Sequence, residues 1–316
     1  MNIVTGPPQA GTGTPSVVTI GVFDGVHRGH RHLIGVARAQ ADERGLPLTV
    51  VTFDPHPMTV VRPDQAPPRL STLDQRLELL DAVGADTVRV VTFDTDTAQL
   101  SAEDFATAYL IGESGARAVI TGENFRFGHR AAGDLALLQR LGGDAGFTVT
   151  GVPLAGDESA AWSSTRIRGL VAGGDVTAAA IGLARPHRVE GEIVHGDHRG
   201  RELGYPTANL DPLPRSCVPR DGVYAGTVVL DPYGPGHRSV PAAISVGANL
   251  TFGGTEPRVE AHIIEPGEWD LYGRQVALDF TARIRGMVAF DTADDLLDAM
   301  AGDVLAAQRL LGQADA

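Results

Sequence analysis

A chain of 316 residues, 43% hydrophobic and 21% charged, is long enough for two domains with separate cores and has the balance of a soluble globular protein. Its formal charge of −13 argues against a nucleic-acid-binding surface, which is normally basic, and no apolar run approaches the roughly 20 residues of a membrane span. A single cysteine, Cys217, excludes an intrachain disulfide or a cysteine-based zinc site, and all 26 basic residues are arginine, which excludes a Walker-type lysine and Schiff-base chemistry. Any cationic phosphate ligand must then be arginine, histidine or a metal. No basic stretch followed by an apolar one opens the sequence, so no secretory signal and a cytoplasmic location are expected.

The first ~15 residues are rich in Gly, Pro and Thr and are expected to be mobile. Residues 17–22 read as a strand and 29–44 as a helix with Leu33, Ile34, Val36 and Ala37 in helical spacing. A strand over 48–53 leads into a proline-rich loop through Pro68. Ser71 then caps a helix that has Asp74 three residues on and Leu77, Leu79 and Leu80 on its apolar side. A strand over 87–93, a helix over 101–111 capped by Ser101, a strand over 118–121, a helix over 134–141 and a strand over 147–154 follow. This βαβα rhythm implies an open parallel sheet covered by helices, whose ligands bind beyond the carboxyl ends of the strands. Residues 21–30, 54–57 and 122–128 all lie just past a strand end. Two short helices, 165–172 and 176–183, close this half.

From Arg188 the rhythm changes. Short β-like runs at 189–194, 222–230, 239–245, 259–264 and 275–284, separated by Gly and Pro turns, predict a small antiparallel barrel. A terminal helix over 292–311 has Leu296, Leu297, Met300, Val304, Leu305 and Leu311 on its apolar face and Asp294 and Asp295 in its first turn. The fold class is therefore α/β plus β. The boundary falls near Arg185–Pro186, giving domains of 1–185 and 186–316.

The turn over 21–30 reads G-V-F-D-G-V-H-R-G-H, with His27 and His30 where the helix should begin. A helix N-terminus presents unbonded N–H groups and the positive end of a dipole, so it attracts phosphate. Two imidazoles there point to a site that handles phosphate chemically. Surface histidines on a βα turn are the alternative. The flanking glycines, the upstream strand and the Phe-Asp pair favour the functional reading.

Five further segments follow in order: V-T-F-D-P-H-P, G-E-N-F-R-F-G, S-S-T-R-I-R, G-R-E-L-G-Y-P-T-A-N-L and D-G-V-Y-A-G. With the first turn, they resemble the prokaryotic bifunctional riboflavin kinase/FMN adenylyltransferase (FAD synthetase) family over nearly the whole chain. The resemblance implies a Rossmann-like nucleotidyltransferase domain followed by a riboflavin-kinase-type β-barrel. It also implies riboflavin, FMN and ATP as substrates, FMN and FAD as product ligands, and Mg2+ as cofactor. No nucleic-acid or membrane partner is expected, and the oligomeric state, a homo-oligomer included, stays open.

In the first reaction the resemblance implies AMP transfer from ATP to FMN with release of pyrophosphate. His27 and His30 would contact the ATP phosphates as catalytic residues, and Gly29 would let backbone and nucleotide approach closely. Gly21, Phe23 and Asp24 would line the nucleotide site. Ser164, Thr165, Arg166 and Arg168 would receive the pyrophosphate, with Ser164 capping the helix; read alone, they are equally a Ser-capped helix start with exposed arginines. Asn124, where many relatives have Asp, would hydrogen-bond flavin or phosphate, while Phe125 and Phe127 either face the flavin ring or belong to the core. Asp54-Pro55-His56-Pro57 either borders the cleft or stiffens a loop.

In the second reaction the ribityl hydroxyl must lose a proton, and Glu260 matches the family's catalytic glutamate. Its alternation with Val259 and Ala261 equally fits an outward-facing strand residue. Thr207 and Asn209, in Pro206-Thr207-Ala208-Asn209, would bind Mg2+ and ATP phosphates. Gly196, Gly200 and Gly204, with Pro206 beyond them, would form a flap over the phosphates. Leu250 stands where many relatives have proline, which would loosen that loop.

Overall fold

The computed structural model describes residues 1–8, 13–196, 205–247, 258–267 and 269–312. By its contacts the chain divides into two compact units, one of residues 1–67 and 73–163, the other of 68–72 and 164–316.

The first unit is built on a six-stranded, wholly parallel sheet in the order β1-β4-β3-β2-β5-β6. The strands are β1 (Asn2–Val4), β2 (Ser16–Ile20), β3 (Leu48–Asp54), β4 (Thr87–Thr92), β5 (Ala116–Gly122) and β6 (Thr148–Val152). Every residue of β2 is buried, as expected of a central strand covered on both faces. On one face, Val17, Val50, Val88 and Ile120 pack with Ile34, Ala37 and Ala41 of α1 (Arg28–Arg44) and with Leu79 and Leu80 of α3 (Leu73–Ala82). On the other, Val18, Ile20, Val51 and Val119 meet Phe105, Tyr109, Leu110 and Leu138. The short α2 (Pro57–Val61) forms in a stretch expected to be loop.

Two expectations for this unit are corrected. Asn2–Val4 lies in the terminus expected to be mobile, yet it forms the edge strand beside β4. The reason is tertiary: Arg89, fully buried, donates to the Gly6 carbonyl at 2.6 Å and pairs with Glu113 at 2.8 Å. The expected single helix over 101–111 is two pieces, α5 (Ala102–Phe105) and a π-helical stretch over Ala106–Glu113, and a separate short helix, α4 (Thr95–Gln99), precedes it. α6 (Leu135–Ala145) is capped by Asp134, whose carboxylate accepts the Leu137 N–H.

The second unit is a closed antiparallel barrel in the order β10-β11-β8-β7-β12-β9. Its strands are β7 (His187–Val194), β8 (Ala208–Pro212), β9 (Gly222–Leu230), β10 (Arg238–Gly247), β11 (Arg258–Ile263) and β12 (Gln275–Arg285). The expected barrel is present with one strand more than the five read from sequence, β8, which begins inside the P-T-A-N segment. Its interior is filled by Val189, Leu210, Tyr224, Ile244, Val259, Leu278 and Phe280. The terminal helix α9 (Ala293–Gly312) buries Ala307 against Ala225 and Ala243, and Asp303 receives Arg285 through two bonds of 2.7 and 2.8 Å.

The two short helices, α7 (Ser164–Gly173) and α8 (Val176–Leu183), belong to this second unit, although the expected boundary lies at 185. Ile167, Val171, Ala179 and Leu183 share a core with Leu70 and Cys217. Leu70 comes from the strap of residues 68–72, which the Thr72 hydroxyl anchors by donating to buried Glu190 at 2.8 Å.

Candidate active sites

In the first unit the loop leaving β2 is forced through an unusual backbone path. Phe23 (φ 52°) and Val26 (φ 38°) both occupy the left-handed region, and both are buried. A β-branched valine there is strained, so the surrounding structure must hold it. The Phe23 ring folds under Gly21, where an added Cβ would lie 3.1 Å from the ring carbon Cζ.

His27 ends this path as the N-cap of α1. Its Nδ1 accepts the His30 backbone N–H at 3.3 Å. A neutral ring accepting at Nδ1 carries its proton on Nε2, so His27 presents a donor. The His27 and His30 rings stack with centroids 3.6 Å apart and planes 20° from parallel, and Phe23 meets His30 edge-on at 5.2 Å. Gly29 is what permits the fold-back: a Cβ would sit 3.0 Å from the Trp162 carbonyl oxygen and 3.1 Å from the His27 ring. Asp24 is buried beside them in sequence.

The 122–128 turn begins where β5 ends. Asn124 is exposed, and its Oδ1 approaches the backbone of Gly122, where a Cβ would lie 3.1 Å away. Phe127 is a core residue, stacked nearly parallel on half-buried Phe125 at 5.5 Å. The core alternative therefore describes Phe127.

Ser164, Thr165, Arg166 and Arg168 fall in the second unit, on α7. Ser164 is the first helical residue, so the position before the helix, expected for Ser164, is held by Ser163. Arg168 donates its Nε to the Pro68 carbonyl at 2.6 Å, anchoring the strap.

In the barrel, β11 and β8 are neighbours and Glu260 stands directly opposite Asn209. Val259, Ala261 and Leu210 point inward, so Glu260 and Asn209 share the outer face. Thr207, two residues before Asn209, donates its hydroxyl to Glu260 Oε2 at 3.4 Å. Gly196 follows β7 and packs on Asn209 so closely that a Cβ would fall 2.3 Å from the amide nitrogen. The carbonyl of Pro206 contacts His262 Nδ1 at 3.0 Å, and Tyr205 meets the His262 ring edge-on at 5.2 Å. Gly200, Gly204 and Leu250 lie outside the described residues. Among the described residues no group of three or more His, Cys, Asp or Glu is gathered for a metal. Thr207, Asn209 and Glu260 instead offer hard oxygens of the kind magnesium prefers.

The FAD synthetase family model matches residues 10–166, and the riboflavin kinase model matches residues 183–311. A relative from Escherichia coli (strain K12), named Bifunctional riboflavin kinase/FMN adenylyltransferase, is 36% identical over 305 residues, covering 96% of this chain and 94% of its own. This chain belongs to the bifunctional riboflavin kinase/FMN adenylyltransferase family. A relative of the same name from Bacillus subtilis (strain 168) is 33% identical, covering 91% and 90% of the two chains. A crystal structure named Macrolide-efflux Protein, from Streptococcus pneumoniae, has a TM-score of 0.83 at 33% identity and covers 96% of this chain and 97% of its own. Among the described residues no helix here is long and apolar enough to cross a membrane.

The sequence alone does not single out two residues that the structure ties to these segments. His262 looks like any outward-facing strand residue, yet it contacts the carbonyl that opens the P-T-A-N segment. Arg76, on α3 between Asp74 and Glu78, has the spacing of a solvated helix charge but is buried. Its guanidinium donates to the Val22 carbonyl and to Asp54 Oδ1, each at 3.0 Å. His56 in the D-P-H-P segment caps α2 by accepting the Met58 N–H at 3.1 Å, a local structural role.

Proposed function

We propose that the chain phosphorylates riboflavin to FMN with ATP and then adenylylates FMN to FAD, releasing pyrophosphate. The observation that carries the reading is that each of the two family matches contains a set of side chains suited to its own reaction. The division of chemistry we assign is adenylylation to residues 1–185 and phosphorylation to residues 186–316. It differs from the compact units in α7, α8 and the 68–72 strap. The expected setting is the cytoplasm.

In adenylylation an FMN phosphate oxygen attacks the α-phosphorus of ATP, and the bond to pyrophosphate breaks. The nucleophile is already ionised, so the protein's work is alignment and charge stabilisation. His27 supplies an Nε2 donor, and His30, held against it, a second imidazole at the positive end of α1. Gly21, Phe23, Asp24 and Gly29 shape the wall of this site, and Asn124 meets the flavin nucleotide. Ser164, Thr165, Arg166 and Arg168 receive the pyrophosphate.

In phosphorylation the ribityl 5′-hydroxyl attacks the γ-phosphorus, its proton passes to Glu260, and ADP leaves. The Thr207 hydroxyl donates to Glu260 and so keeps its lone pairs for a cation, while Asn209 adds an amide oxygen. These residues fit Mg2+, which when bound neutralises phosphate charge. Gly196 and Pro206 flank the segment assigned to cover the phosphates, whose Gly200 and Gly204 lie outside the described residues.

Purified chain given riboflavin, ATP and Mg2+ is expected to yield FMN first and FAD after it by chromatography. Absence of both products overturns the reading.

A further inference from the structure

The strained path of residues 21–27 needs something to hold it, and the contacts converge on one atom. The Val22 carbonyl accepts from the Thr52 hydroxyl at 3.0 Å and from Arg76 Nη1 at 3.0 Å. The second arm of the same guanidinium, Nη2, reaches Asp54 Oδ1 at 3.0 Å. Val22 lies next to Phe23, the first left-handed residue of the path, and Asp54 opens the D-P-H-P segment at the end of β3. One planar fork thus ties two neighbouring loops at the carboxyl edge of the sheet. Fork geometry is a property of arginine, since a lysine ammonium is a point charge without two fixed arms. The Arg76 side chain is 6% exposed and Asp54 43%, so the cation, not the anion, is the committed partner.

We infer that Arg76 is a positioning residue for adenylyl transfer: it fixes the strained loop that carries His27 and His30 in its nucleotide-ready shape. This rests on the adenylylation reading given above. Arg76 acts through Val22 and Asp54 rather than on the reacting atoms. Without it, Phe23 and Val26 relax toward ordinary backbone angles, and the imidazole pair moves with them. Displacements of about 1 Å at a reacting centre cost roughly 100-fold in rate.

Arg76→Met is the principal test, read as KM for ATP and kcat in FAD formation from supplied FMN, with FMN formation from riboflavin measured on the same preparation. The expected result is a rise in adenylylation KM for ATP of roughly tenfold and a fall in kcat/KM of roughly 10- to 100-fold, with the kinase KM for ATP unchanged. A loss of folded protein lowers apparent kcat but leaves KM where it was, so the KM shift separates positioning from mere stability. Loss of Asp54's partner leaves a carboxylate that water reaches, which favours a folded variant. Should Arg76→Met not fold, Arg76→Lys serves: keeping charge but reaching one acceptor at a time, it should raise KM by a smaller factor. Thr52→Val removes the other donor to Val22, and the double variant should lose less than the product of the single losses. An unchanged adenylylation KM in the folded variant overturns the inference. Failure of the parent chain to make FAD would instead strike the adenylylation reading itself.

Discussion

The two proposed centres meet phosphate in opposite ways. In the first unit the imidazoles sit on a strained backbone path, stacked on each other, with buried Phe23 edge-on to His30 and buried Arg76 bonded to the path at the Val22 carbonyl. In the barrel, Thr207, Asn209 and Glu260 stand on the outer face of two ordinary strands, in regular register. The difference follows the nucleophile. An ionised phosphate needs no base, so the first centre invests in rigid placement of donors. A hydroxyl needs deprotonation, so the second centre needs a carboxylate and hard oxygens, which strand geometry supplies without strain.

The sharpest way to break this contrast is Glu260→Gln. Losing the base while keeping size and the contact from Thr207 is expected to lower FMN formation by about 10²- to 10⁴-fold. FAD formation from supplied FMN should stay at the parent level. A comparable loss of both activities in folded protein would mean that the two centres are not chemically separate.

His30→Ala probes the other side. It removes one imidazole and the stack that seats the His27 ring, so FAD formation is expected to fall by about 10²- to 10³-fold. FMN formation should be untouched, and FMN should accumulate in a riboflavin assay. Full FAD formation in this variant would assign the imidazole pair to structure alone.

The contrast also explains what could be read from the sequence. Parallel strands buried on both faces, such as Ser16–Ile20 and Leu48–Asp54, announce themselves as apolar runs, and the histidines at a strand-to-helix turn are visible as spacing. The convergence on Val22 was not visible, because it depends on Arg76 arriving from a helix about fifty residues away along the sequence and on non-glycine residues adopting positive φ. Strand β8 was missed because its alternation is brief and it opens within P-T-A-N. Only its pairing with β7 and β11 makes it a strand. The Asn2–Val4 strand was hidden by a Gly- and Pro-rich surround, and pairing to β4 overrides that local preference. The compact units differ from the boundary expected near 185 for a similar reason: α7 and α8 follow the βα rhythm in sequence, but their apolar faces pack with Leu70 and Cys217.

A smaller effect separates the fold of the first unit from its chemistry. Asp86, at the end of the sheet opposite the candidate site, accepts the Leu48 N–H at 2.7 Å and pairs with Arg38 at 2.6 Å. The Leu48 N–H, and then the Arg38 guanidinium, hold its carboxyl below the ordinary value of 3.8. Because the folded form is the stronger acid, its stabilisation is complete above that value and fades as pH falls through the lowered folded pKa. The side chain is 50% exposed, so solvent screening keeps the contribution at or below about 1 kcal/mol. Asp86→Asn should therefore lower the melting temperature of the first unit slightly at pH 7, with the difference from the parent shrinking as the solution is acidified below pH 4. The kcat/KM for FAD formation should not change, in contrast to His30→Ala. A melting difference that persists undiminished in acid would show that the charge on Asp86 is not what ties β3 to β4.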